Sequence, residues 1–239
     1  MVALLEVGRR IGLARRRTGG KPDGVGAMEG TAFALLGLMI AFTFTSAAQR
    51  FDDRRQLIVH ELNALGTAWL RLDLLPAASQ PATRDRFRSY LDHRIAAYRA
   101  VPDVEAARLH LDSADRAQAE LWSLAVAGAQ QAASPQVLPL VLGPLNESFD
   151  VASERLAALR MHPPASVWVV LAVLASLCCL LAGFEMSADT KRSWLHIVGM
   201  AVLLTVTLYV MVDFELPRVG LVTLENFDQL LVNLRAQLR

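Results

Sequence analysis

Residues 41–56 read AFTFTSAAQRFDDRRQ, an apolar run that gives way abruptly to five charges among the six residues 50–55. No glycine or proline separates the two halves, so nothing in the local chemistry ends a helix there. Working outward, residues 30–75 hold no proline, and Gly37 and Gly66 are their only internal glycines. A single helix over Gly30–Leu75 would run about 69 Å at 1.5 Å per residue, more than twice the ~30 Å of bilayer hydrocarbon. The stretch therefore predicts one rod that leaves a membrane at 50–55 and continues into water.

The whole chain supports a membrane reading. Of 239 residues, 54% are hydrophobic, and the mean hydropathy is +0.34. Three windows, Gly30–Gln49, Pro163–Phe184 and Ser193–Val212, hold no Asp, Glu, Lys or Arg and are each long enough to span. Only helices and closed barrels satisfy every backbone group in lipid, and these windows show no period-two alternation. They predict transmembrane helices at 29–49, 163–185 and 193–213. The opening MVALLEVGRRIGLARRR is too short to span and is expected on the surface or in the membrane interface as part of a basic segment, 1–28.

Lys and Arg near the span ends give the orientation. Arg9, Arg10, Arg15, Arg16, Arg17 and Lys21 precede the first span, and Lys191 and Arg192 separate the second from the third. Against these eight stand Arg50, Arg54, Arg55, Arg155 and Arg160 on the other side. The count places the N-terminus in the cytoplasm and residues 50–162 outside it.

That middle segment is expected to be four amphipathic helices. Ile58, Leu62, Leu65, Trp69 and Leu72 recur at four- and three-residue spacing, as a buried face requires. A second helix, 83–100, is expected to open with a Thr83 cap and to bury Phe87, Tyr90, Leu91 and Ile95. A third, about 104–127, carries Leu109, Leu121 and Trp122. The fourth carries Leu138, Leu142, Leu145, Phe149, Ala152, Leu156 and Leu159. The fold class is an all-α membrane protein: three transmembrane helices with a four-helix bundle inserted between the first and second. In the tail, 214–239, Leu224, Phe227, Leu231, Leu234 and Leu238 predict a short amphipathic helix that docks on the bundle or on a neighbouring subunit.

Two stripes on the long helix are candidates for function. Ala34, Gly37, Ala41, Thr45 and Ala48 form a small-residue face that lets helices approach in lipid, the partner being this chain or another copy. His60, Asn63, Thr67 and Arg71 lie opposite the Ile58–Leu72 face, with Glu61 on the flank, and form a candidate pore or ligand stripe. A plain solvated helix face is the competing interpretation.

Catalytic and metal chemistry find no template. HExxH, CxxC, GxxxxGK[ST] and GxSxG are all missing, and His60, His93, His110, His162 and His196 are scattered. Asp52 and Asp53 diverge by about 100° on a helix and sit among arginines. Cys178 and Cys179 are adjacent within an apolar run and are expected to pack rather than ligate. No catalytic residue, metal or cofactor is expected. The balance of 24 basic and 23 acidic residues gives no pull towards nucleic acid.

The run GLMIAFTFTSAAQRFDDRRQLIVHELNALGTAWLRLDLLP, then RSYLDHR, then DFELPRVGL, resembles the bacterial bestrophin-like integral-membrane family, a domain of unknown function. The likeness covers about residues 28–225. It departs at the start, where relatives usually carry a further hydrophobic segment before a GRR-like stretch and only MVALLEV stands here. The resemblance implies helical spans, a helical domain and a homo-oligomer in the lipid bilayer. Its name implies an ion channel, and by analogy a helical domain in the cytoplasm, against the charge count. The expected function is an oligomeric bestrophin-like channel. The alternative is a membrane-anchored helical sensing or scaffold module acting through a partner subunit.

Overall fold

A computed structural model of the protein describes residues 1–19, 25–188, 194–216, 220–221 and 225–238. Every regular element among them is helical: α1 (Val2–Arg17), α2 (Val25–Arg71), α3 (Gln80–Ala100), α4 (Val104–Gln130), α5 (Val137–Arg160), α6 (Ala165–Glu185), α7 (Trp194–Glu215) and α8 (Glu225–Gln237), with 3₁₀ turns at Leu72–Leu74 and Met186–Ala188. Three stretches are long and apolar enough to cross a membrane: the early part of α2, α6 and α7. The boundary at 50–55 does not interrupt α2, which continues for 47 residues, about 70 Å.

The chain divides into two compact units. The first holds Met1–Gln49 and His162–Glu215. Its core gathers Leu5, Ala32, Leu36, Leu171, Ala175, Cys178, Cys179 and Ala182 with Ile197, Ala201, Leu204 and Met211. Cys178 and Cys179 are free and buried, as expected of packing residues. Pro163 and Pro164 stand in the non-helical stretch between α5 and α6, because the residue before a proline disfavours helix.

The N-terminal segment is more than a surface helix. Leu5, Gly8 and Gly12 of α1 are buried against α6. A Cβ on Gly8 would meet the Leu180 carbonyl oxygen at 2.1 Å, and one on Gly183 would meet the Leu5 carbonyl oxygen at 2.0 Å. Backbone touches backbone here, which only glycine permits. Met1 Sδ lies 3.8 Å from Cys179 Sγ, and Gly12 lies against Phe184 and Ser187, so α1 and the last turns of α6 run side by side in the same direction.

The second unit holds Arg50–Met161 and Leu216–Arg239. Its core is built from Leu65, Trp69 and Leu72 of the long helix and its 3₁₀ end, Phe87, Tyr90 and Leu91 of α3, Leu121 of α4, and Val141, Leu145 and Phe149 of α5. Trp69 meets Phe87 at 5.5 Å between ring centroids, and Tyr90 meets Phe149 edge-on at 5.4 Å. Arg84 and Arg88 also approach the Trp69 ring, at 4.7 and 5.1 Å.

Several sequence expectations change in detail. Helix α3 starts at Gln80, and Thr83 is not its cap: the side chain is buried and its hydroxyl donates to the Ser79 carbonyl at 2.8 Å. The capping chemistry appears instead at Asp103, which accepts from the Ala106 N–H at 3.0 Å and opens α4. Leu109 is exposed, and on α5 Val141 is buried while Leu138 is exposed. The buried side of α5 continues through Ser148, Ala152 and Arg155, so polar groups stand within it.

The tail helix docks within the second unit. Leu231 and Leu238 are buried in its core and Leu234 packs against it, while Leu224 and the Phe227 side chain lie outside the described residues. Arg235 makes a two-pronged ion pair with Asp92 of α3, both bonds 2.8 Å, and Arg88 donates to the Leu238 carbonyl at 3.1 Å.

Gly183→Ala should cost about 1–3 kcal/mol as the backbone is forced apart, seen as a lower melting temperature of the detergent-solubilised protein. Gly199→Ala, with open space around its Cβ, should leave the melting temperature level or slightly higher.

Candidate functional site

Buried residues recur at helical spacing on α2 in each unit: Ala32, Leu36, Thr43 and Ala47 in the first, and Arg54, Ile58, Glu61, Leu65 and Ala68, followed by Leu72 of the 3₁₀ turn, in the second. Their spacing keeps them on one side of a 3.6-residue helix, and it carries two charged groups into that side. Glu61 is 1% exposed. It occupies the centre of the buried face, three residues after Ile58 and four before Leu65, and not the flank expected from sequence.

The charge is answered by two arginines. Arg94 of α3 donates from Nη2 to Glu61 Oε1 at 3.0 Å, and Arg155 of α5 donates from Nη1 to Oε2 at 2.7 Å. Both are nearly as buried as the carboxylate, at 4% and 3% exposed. Arg94 also donates to the Tyr98 hydroxyl and, at 3.4 Å, to the Ala152 carbonyl. The Arg155 guanidinium lies 3.9 Å from the Tyr98 ring centre. Burial disfavours the Arg94 charge, but Tyr98, Glu61 and Tyr90 outweigh it, and its pKa stands above the ordinary arginine value. Burial also pushes the Tyr90 phenol up, with Arg94 opposing, so it stays protonated.

Arg54, expected at a water boundary, is buried as well. Its Nε donates to the Ala158 carbonyl at 3.2 Å and its Nη2 to the Met161 carbonyl at 3.0 Å. These carbonyls belong to the C-terminal end of α5, where a cation suits both the open acceptors and the helix dipole. In the first unit, the Glu215 carboxylate is 4% exposed in its side chain and meets His162 Nδ1 at 2.9 Å.

The two candidate stripes both lie away from the buried line. Of the first, Ala34, Gly37, Ala41 and Thr45 are exposed and Ala48 is half-buried, and a Cβ on Gly37 would meet nothing within 4 Å. Of the second, His60, Asn63 and Thr67 are exposed. His60 Nε2 lies 3.2 Å from Glu147 Oε1, and Arg71 donates to the Leu140 carbonyl at 2.9 Å, so its two outer members reach α5. His60 and Asn63, with Asp52, Asp53, Arg55 and Gln56, line an open concavity of about 640 Å³ along α2. No group of three or more potential metal ligands occurs among the described residues.

All the buried charges but Arg155 sit in the sequence runs singled out above: Arg54 in RFDDRR, Glu61 in ELNALGTAWLRLDLLP, Arg94 in RSYLDHR, and Asp213 and Glu215 in DFELPRVGL. The Bestrophin-like domain family matches residues 2–225. The chain belongs to the bestrophin-like family. Comparison with curated proteins found no match. Among solved structures, two variants of a bacterial bestrophin homologue from Klebsiella pneumoniae align over 99% of this chain and over 98% and 97% of theirs, with TM-scores of 0.69 and 0.72 and 16% identity each. A structure described as a membrane protein aligns with a TM-score of 0.70 and 16% identity, over 99% of this chain and 94% of its own. At such identity the likeness is one of fold.

Removing one partner of a buried ion cluster leaves the others uncompensated, which costs about 3–5 kcal/mol. Glu61→Ala should therefore lower unfolding stability by that amount. Glu147→Ala, which removes only the exposed contact to His60, should stay within about 0.5 kcal/mol of the parent. Denaturant unfolding in detergent measures both, and equal effects would contradict the assigned role of Glu61.

Proposed function

We propose that this bestrophin-like protein is a homo-oligomeric ion channel in the cell membrane, with α2 lining or flanking the shared axis. The supporting observation is the open side of α2. Its buried line faces the protein's own core, while the small-residue stripe and the polar stripe occupy the opposite half of the same helix. In an oligomer the first would pack against neighbouring helices in lipid, and the second would face an aqueous path. The transmembrane segments are residues 29–49, 163–185 and 193–213. The four-helix bundle, 50–162, is inserted between the first and second, and the tail, 214–239, docks on it.

The orientation that fits is a cytoplasmic N-terminus with an extracytoplasmic bundle. Of the five arginines that count against it, Arg54 is spent on the α5 carbonyls and Arg155 on Glu61, so neither is free to hold the cytoplasmic side. A cysteine at exposed Asp112 should react with an impermeant maleimide in intact cells; labelling only after the cells are opened would reverse the orientation.

Recording from the purified protein in planar bilayers tests the channel. The expected result is a conductance whose ion selectivity shifts in Asn63→Asp and whose amplitude changes in Thr67→Ala. Silence across salts, or a conductance indifferent to both substitutions, would count against this path.

A further inference from the structure

Helix α1 ends in Arg15, Arg16 and Arg17, and the structure places that end beside the end of a candidate span. Gly12 lies level with Phe184 and Ser187, where the apolar run of α6 gives way to Glu185 and the following 3₁₀ turn. At 1.5 Å per residue, the three arginines then fall about 5–8 Å further along the same direction, in the headgroup zone if α6 spans the bilayer. Arg15 and Arg17 are exposed. Arg10, one turn earlier and also exposed, shares its charge with Glu6 at 3.2 Å, which leaves the last turn as the concentrated positive end. Cations there also complement the helix dipole, so the cluster is compatible with the helix that carries it.

The outward side of α1 adds an apolar component. Val7 and Ile11, one turn apart, are 46% and 55% exposed. Beside a span, an apolar side that ends in arginines suits acyl chains along the helix and phosphate groups at its end. The tight glycine contacts fix its depth, because α1 cannot slide along α6 without driving backbone into backbone.

We propose that Arg15 and Arg17, presented by α1 at the end of α6, form a binding surface for the headgroups of anionic phospholipids. The guanidinium forks would hold phosphate oxygens in paired hydrogen bonds, and their positive charge, which a choline headgroup would repel, selects lipids with net negative charge over zwitterionic ones. The proposal rests on the reading of α6 as a membrane span, and it is independent of conduction.

Native mass spectrometry of the full-length protein tests it, released from micelles that contain equal phosphatidylglycerol and phosphatidylcholine. The parent should retain phosphatidylglycerol preferentially, and Arg15→Gln/Arg17→Gln should lower that preference roughly thirtyfold, as expected for the loss of two surface charges. Arg15→Lys/Arg17→Lys should keep most of it, and Arg108→Gln, an exposed arginine in the second unit, all of it. An unchanged preference in the double Gln variant, or an equal loss in Arg108→Gln, would overturn the proposal. Should the Gln variant also melt earlier than the parent, an Arg15→Lys/Arg17→Lys variant that loses the preference with an unchanged melting temperature would likewise overturn it. A protein found freely soluble without detergent would instead overturn the span reading.

Discussion

A carboxylate withdrawn from water is stable only where cations and donors replace its hydration, and Glu61 has both of its oxygens met by arginines. Those arginines come from α3 and α5, so one side chain on α2 fixes three helices at once. The cluster fixes more than their association. A helix that buries only leucines can rotate slightly at little cost, whereas one with a charge in its packed face cannot. With Glu61 held, the rotation of α2 in the second unit is set, and with it the direction in which His60, Asn63 and Thr67 project.

Close approach has an analogous role in the first unit. Lipid supplies no hydrophobic force between helices, so association depends on backbones that can meet. Gly8 and Gly183 provide that meeting between α1 and α6. Its consequence is positional, because it holds a strongly cationic helix end level with the end of an apolar helix. Ion pairing in one unit and glycine contact in the other thus act alike, each turning a general tendency to pack into one defined register.

The architecture was largely legible in the residues. Length without charge marked the apolar helices, and the lack of glycine or proline around 41–56 marked α2 as continuous. The period of Ile58, Leu65, Trp69 and Leu72 marked its buried face correctly. The buried charges were harder. Glu61 and Arg54 stand in register with that apolar line, and this was the available signal. Local pattern assigns a charged residue to water, however, and the partners that reverse the assignment lie 33 and 94 residues away from Glu61. Leu109 and Leu138 failed for the complementary reason: an apolar residue on a helix is free to remain exposed, and only the neighbouring helix decides which side is covered. The α1 contact was hidden because glycine reads as a weak helix former until its partner backbone is known.

In the channel we propose, the half of α2 opposite Glu61 faces an axis shared by copies of this chain. Pulsed electron spin resonance on the detergent-purified protein addresses it directly, with one nitroxide per chain at Thr67 or, separately, at Asp112. Strong dipolar coupling between copies is expected for both labels, with distinctly shorter distances from Thr67. A lack of coupling at Thr67, or distances there longer than those from Asp112, would contradict this arrangement.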